Sequence, residues 1–376
     1  MALAAMHISV PIAVLALGAL SLCLSAWAIR RDVPLMWEWA VPAPMERGGA
    51  PVFATVLDHT PETGIAHSPS IILKDQGMSV LWFAGSQEAQ ADVDVVGVDI
   101  TPDGAASPIT PRLTSAALAE AFEPRQLVVT LGNTVQRDGA KDTLYTTAVS
   151  VGGWAMASVA EVQMAPEGPV HARKLDLSPL LNRSFLVKSP MVAYADGSHA
   201  LPAYFEMGST YGALVRLDGQ RRVRDMRRMT GPMKAIQPMI VPLDAARAVA
   251  FLRNFDSGGQ RLLISRTGDG GRTWEAVRET PMPNPSAPVA ALGIGGDAIL
   301  MAVNDDAGDG GILNLVLSED GGATWRHLRT LEAGGGDARY PMMRALPDGR
   351  IALAYSVAGK KGIRAHLFNL AWALGT

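Results

Sequence analysis

Along most of this chain the apolar residues come in short runs rather than long stripes. "SVLWFAG" (79–85), "VDVVGVDI" (93–100), "LYTTAVSV" (144–151), "AVAFLRNF" (248–255), "DAILMAVNDD" (297–306), "RIALAYSV" (350–357) and "GIRAHLFN" (362–369) are typical. The runs are rich in β-branched or aromatic residues and end on Gly, Asp or Asn, which is how strands bounded by turns read. Asp-Gly pairs at 103–104, 196–197, 218–219 and 348–349 stand where hairpin turns belong. Helical spacing is confined to "RLTSAALAEAFE" (112–123), which predicts one helix in a long loop. The pattern therefore predicts an all-β domain.

The first thirty residues break this rhythm. "ISVPIAVLALGALSLCLSAWAI" (8–29) carries no charge. As a helix rising about 1.5 Å per residue, it is long enough for the ~30 Å core of a bilayer. "AWA" (26–28) looks like a small-residue cleavage site, but the apolar run is long for a signal peptide, so residues 1–30 are expected to be an uncleaved membrane anchor. Residues 31–60, with "VPLMWEWAVPAPMERGGAP", read as a linker, and 61–376 as the β domain.

A second irregularity is a repeat. "TGDGGRTW" (267–274) and "SEDGGATW" (318–325) share one template about fifty residues apart. In each, the Asp can accept backbone N–H groups, the glycines allow positive φ, and the Trp can pack against a sheet. "SVGGW" (150–154) reads as a third, decayed copy that lacks the Asp. A period near fifty residues suggests a propeller of four-stranded blades, and roughly 320 residues make about six of them.

Composition narrows the class. Charged residues are 18% and the net charge is -3, which argues against nucleic acid as a partner. The 38 glycines and 25 prolines suit many tight turns. The single cysteine, Cys23, lies in the apolar segment, so intrachain disulfides and cysteine-based metal sites are excluded. No cofactor or metal is expected. "QRRVRDMRRM" (220–229) reads as an exposed hairpin and "NDDAGDGG" (304–311) as a loop tip without EF-hand spacing.

The repeated phrase resembles the Asp-box of sialidases and other BNR-repeat proteins. "HSPSIILKDQGMSVLWFAGSQEAQADVDVV", "KSPMVAYADGSHALPAYFE", "IQPMIVPLDAARAVAFLRNF", "MPNPSAPVAAL" and "RYPMMRALPDGRIALAYS" are similar, in order, to bacterial members resembling exo-α-sialidases. The resemblance implies a six-bladed β-propeller with the boxes away from the active site. It also implies a tyrosine nucleophile, an activating Glu, an Asp acid and an arginine triad that clamps the substrate carboxylate. Matched residue by residue, the nucleophile falls on Tyr340 and the acid on Asp92. One triad arginine falls on Arg253; the other two positions hold His67 and Ile312, and the activating Glu position holds Gln237. Glu206 is the spare carboxylate, and Glu88, Lys188, Tyr204 and Asn284 are further candidates for sugar contact.

Three functional classes follow: a glycoside hydrolase acting on an exported or surface glycan, a non-catalytic glycan-binding propeller anchored to the membrane, and a structural partner in a membrane complex. A glycan-acting domain is expected to be periplasmic or extracellular. Arg30 and Arg31 oppose this, since cations flanking a span favour the cytoplasmic side.

Overall fold

Strands buried on both faces lose the in-out alternation of half-exposed ones. Here this explains the short, nearly continuous apolar runs. In the computed structural model, which describes residues 10–136, 142–178 and 182–376, they form the middle strands of six antiparallel sheets. Blade 1 spans 65–113, blade 2 130–174, blade 3 185–229, blade 4 235–283, blade 5 290–333 and blade 6 339–368. Thr143–Val149 of blade 2 and Ile351–Val357 of blade 6 are buried at every position. The core lies between neighbouring blades: Phe251 and Ile264 of blade 4 cluster with Ile299, Met301 and Val316 of blade 5. Leu300 and Leu315 of blade 5 cluster in turn with Met343 and Leu353 of blade 6. The fold is the expected six-bladed propeller.

Blade 6 is closed by the other end of the chain. Phe53–His59 pairs antiparallel with Gly362–Phe368, with Phe53 opposite Phe368 and His59 opposite Ile363. The linker reading of 31–60 is corrected accordingly: the second of two compact units begins at Trp37. Trp39 is buried and packs against Tyr194 with ring centroids 4.4 Å apart and the planes tilted by 33°. The Trp39 and Met45 N–H groups donate to the Ala245 and Ile294 carbonyls, at 2.8 and 3.1 Å. Apolar and aromatic residues in a proline-rich stretch are here a strap lying on the propeller.

The other unit contains the helix Val10–Arg31, whose apolar span of mean hydropathy 2.3 has no buried residue. The predicted helix in the long loop is Ser115–Ala121, capped by the Thr114 hydroxyl accepting from the Ala117 N–H.

Both Asp-boxes follow the third strand of their blades, after Arg261–Thr267 and Ile312–Ser318. Asp320 accepts from the Thr324 N–H at 2.8 Å and the Thr324 hydroxyl at 2.6 Å, while the Gly322 N–H donates to Ser318 Oγ. These bonds push the Asp320 carboxyl down to about 2. Asp269 and Thr273 repeat the scheme. "SVGGW" is not a third copy: it joins the second strand of blade 2, Thr143–Val149, to the third, Ala157–Ala165. One Asp-Gly turn also differs, because the left-handed residue near 218–219 is Arg221. The arginines of 220–229 are engaged locally: Arg221 with Glu161, Arg222 with Asp218, Arg227 with Asp225 and Arg228 over Tyr211.

Candidate active site on the upper face

In a blade of antiparallel strands, successive loops alternate between two faces. The entry to the first strand and the loop between second and third share one face, here the upper. The Asp-boxes, between third and fourth strands, lie on the lower. The innermost strands of blades 1, 4 and 6 are Ile65–Leu73, Ala235–Pro242 and Arg339–Ala345. Each carries an irregularity in pairing: between His67 and Ser70, Ile236 and Met239, and Arg339 and Met342. Within each lies a non-glycine residue with a left-handed backbone: Ser68 (φ 54°), Gln237 (φ 53°) and Tyr340 (φ 58°). Each is followed by proline, which has no N–H to leave unpaired at the bulge. Such conformations cost on the order of 1–3 kcal/mol each and persist where the surroundings over-determine them.

All three residues line one cleft on the axis, with about 70 Å³ of free volume, room for a few water molecules. Arg253, from the second strand of blade 4, lines the same cleft. It donates to Tyr340 Oη at 3.0 Å, Ser286 Oγ at 3.2 Å and Gln237 Oε1 at 3.4 Å. Gln237 Nε2 donates to Tyr204 Oη at 3.3 Å, and burial raises the Tyr204 phenol above its ordinary range. His67 meets Tyr340 edge to face, with ring centroids 4.5 Å apart, and its Nδ1 lies 2.9 Å from Ser356 Oγ. Burial, reinforced by Lys360, Arg253 and Lys188, lowers His67 to about 3, so the imidazole is neutral near pH 7.

Two carboxyl groups complete the wall. Glu206 follows the second strand of blade 3, His199–Phe205. Burial raises its affinity for a proton, Arg253 opposes this, and Glu88 adds to it. Glu88, in the upper loop of blade 1, is ion-paired with Lys360.

The other candidates have different places. Asp92 shares the loop of Glu88 but is exposed, its carboxylate accepting from the Ser86 N–H and hydroxyl, each at 2.9 Å. Lys188 is buried, and its amine reaches from blade 3 to the Pro341 carbonyl of blade 6. Burial lowers that amine to about 7. Asn284 is fully buried and organises backbone, donating to the Asn304 carbonyl at 3.1 Å and accepting from the Ala287 N–H at 2.8 Å. Ile312, at the third triad position, brings no charge, and its carbonyl accepts from Asn304 Nδ2. In 304–311 the carboxylates serve the loop: Asp306 caps the Gly308 N–H and Asp305 accepts from Asn314. The cleft also contains Trp154, which sequence reasoning assigned to a decayed box; the signal available was its place between a second and a third strand.

The sequence matches the BNR repeat-like domain family over residues 76–353, most of the propeller, and the chain belongs to that family. No curated protein matches the chain. Among solved structures, a Trypanosoma rangeli sialidase mutant displaying trans-sialidase activity is similar at TM-score 0.63 and 11% identity, over 89% of this chain and 60% of that one. The leech intramolecular trans-sialidase is similar at TM-score 0.64 and 10% identity, over 84% and 69%. A protein of unknown function from Dyadobacter fermentans, at TM-score 0.61 and 15% identity, is covered over 99% of its length by 84% of this chain. The chain thus spans about three-fifths of the trypanosomal protein, and the likeness is one of fold: a sialidase-like BNR-repeat propeller.

Proposed function

We propose that the propeller is a glycoside hydrolase centred on Tyr340. The observation that carries this reading is the Arg253–Tyr340 contact at 3.0 Å, built on three strained residues that line the same cleft. In the proposed reaction Tyr340 Oη attacks the anomeric carbon while Glu206, whose affinity for a proton burial raises, protonates the departing glycosidic oxygen. Water then attacks the glycosyl-tyrosine and loses one proton to Glu206, and the departing Tyr340 phenolate takes back a proton from the water in the cleft. Arg253 orients the phenol and stabilises the negative charge that builds on its oxygen. Gln237 stands where a base is wanted and cannot accept the phenolic proton, which passes to water in the cleft.

Asp92 competes with Glu206 for the acid role, and Asp92→Asn against Glu206→Gln separates the two. The test of the whole reading is turnover of an aryl glycoside panel, sialosides included, by the full chain in detergent. Tyr340→Phe is expected to abolish it, and Gln237→Glu to raise it by about tenfold or more, a modest share of what a positioned base contributes. Turnover that survives Tyr340→Phe overturns the reading, as does no turnover on any glycoside.

The helix Val10–Arg31 is assigned as a membrane anchor, with the propeller on the glycan-bearing side. Alkaline phosphatase fused at the C-terminus is expected to be active; an inactive fusion places the propeller in the cytoplasm, the side that Arg30 and Arg31 favour.

A further inference from the structure

We infer that the cleft selects a terminal sugar without a carboxylate, seated against Trp154, and discriminates against sialic acid. This rests on the glycan-acting reading of the same site, and it concerns binding rather than turnover. A sugar carboxylate needs a cation whose donors are available to it. Among the described residues lining the cleft, Arg253 is the only arginine or lysine; its Nε donates to Ser286 and its Nη1 to Tyr340 and Gln237, so a carboxylate can meet only Nη2 and not a two-nitrogen edge of the guanidinium. His67 is held neutral by burial, with Nδ1 on Ser356. Lys360 is engaged by Glu88 and Lys188 by the Pro341 carbonyl. An entering carboxylate would gain no second cation there: beside it stand the Glu206 carboxyl, which burial drives toward its protonated form, and Glu88, already ion-paired with Lys360.

The remaining surface suits an uncharged ring. Trp154 is half-buried in the wall of the cleft, and an added Cβ at Gly132 would come within 3.2 Å of its indole. Glycine on the innermost strand of blade 2 thus leaves room for Thr147, which an added Cβ would meet at 2.8 Å, and for the ring. An indole offers a broad apolar face to the C–H side of a sugar, while Glu206, Asn133 and Gln237 offer hydrogen bonds to hydroxyls.

The test measures binding of the full chain in detergent to matched oligosaccharides, lactose and 3'-sialyllactose among them, each neutral probe beside its sialylated form. At least one neutral probe is expected to bind about tenfold or more tightly than its sialylated partner, a difference of about 1.4 kcal/mol. Trp154→Ala is expected to weaken that neutral binding about tenfold and Trp154→Phe to restore most of it, with unchanged thermal unfolding showing that both variants are folded. Equal or tighter binding of the sialylated member overturns the inference, as does neutral binding indifferent to Trp154→Ala or no binding to any probe. A neutral preference without turnover of any glycoside leaves this inference standing and removes the hydrolase; sialoside turnover with sialoside preference does the reverse.

Discussion

His67 occupies a triad position in the resemblance to sialidases, yet its chemistry is that of a buried neutral base. The folded chain holds its imidazole neutral down to about pH 3, whereas the unfolded chain protonates it near 6.5. Between those values the unfolded state binds the extra proton, so this contribution to stability is complete above pH 6.5 and is lost as pH falls toward 3. Its full size is on the order of 5 kcal/mol. His67→Asn, which keeps a polar atom near Ser356 without the titration, is expected to flatten the fall of Tm between pH 7 and 4.5; equal slopes for the two proteins would contradict the assignment. The residues of the site were legible where a motif carried them: Tyr340, Arg253, His67 and Gln237 meet in one cleft, as do Glu88, Tyr204 and Glu206. Lys188 and Asn284 were not separable from them in sequence, because a polar side chain turned to a neighbouring carbonyl reads the same as one turned to a ligand.

At the scale of elements, the Asp-boxes have a second use that their own hydrogen bonds do not reveal. Gly270 has φ +72°, and an added Cβ would stand 1.8 Å from the Trp37 carbonyl oxygen. Beside it, a Cβ on Gly271 would strike the Trp39 ring at 2.9 Å. The glycines of the first box are therefore a seat for the strap as well as a turn. Gly270→Ala is expected to lower stability by about 2–4 kcal/mol, from left-handed strain plus displacement of the strap. Gly335→Ala, at φ +81° with no atom within 4 Å of the added Cβ, meets the strain alone and is expected to cost about 1 kcal/mol. Equal losses in thermal or urea unfolding would refute the seat. Second and third strands were legible because both their faces are buried. Fourth strands such as Arg326–Ala333 and Arg278–Pro283 were not, since their exposed sides carry Arg, Glu and Thr in no period that distinguishes a strand from a loop.

For the whole molecule, closure is the property that no local pattern announces. Phe53–His59 shares a sheet with residues more than three hundred positions away, a pairing that only the completed ring defines. A chain beginning at residue 37 keeps both strap and closing strand and is expected to unfold cooperatively. One beginning at residue 61 leaves blade 6 with a bare edge and should melt about 10 °C or more lower, or aggregate. Equal melting temperatures would show that the ring does not need its N-terminal clasp. The number of blades was legible from the spacing of the boxes; the origin of the last strand was not, because a proline-rich approach resembles a tether. What the ring gathers on its upper face is the contact between Arg253 and Tyr340, on which the proposed role of Tyr340 as nucleophile rests. The direct measurement is intact-protein and peptide mass spectrometry of the chain quenched during turnover of a fluorinated glycosyl fluoride, chosen from the sugars it hydrolyses. One added glycosyl mass is expected, located on Tyr340 and absent from Tyr340→Phe; a labelled carboxylate, or turnover with no covalent adduct at all, would contradict a tyrosine nucleophile.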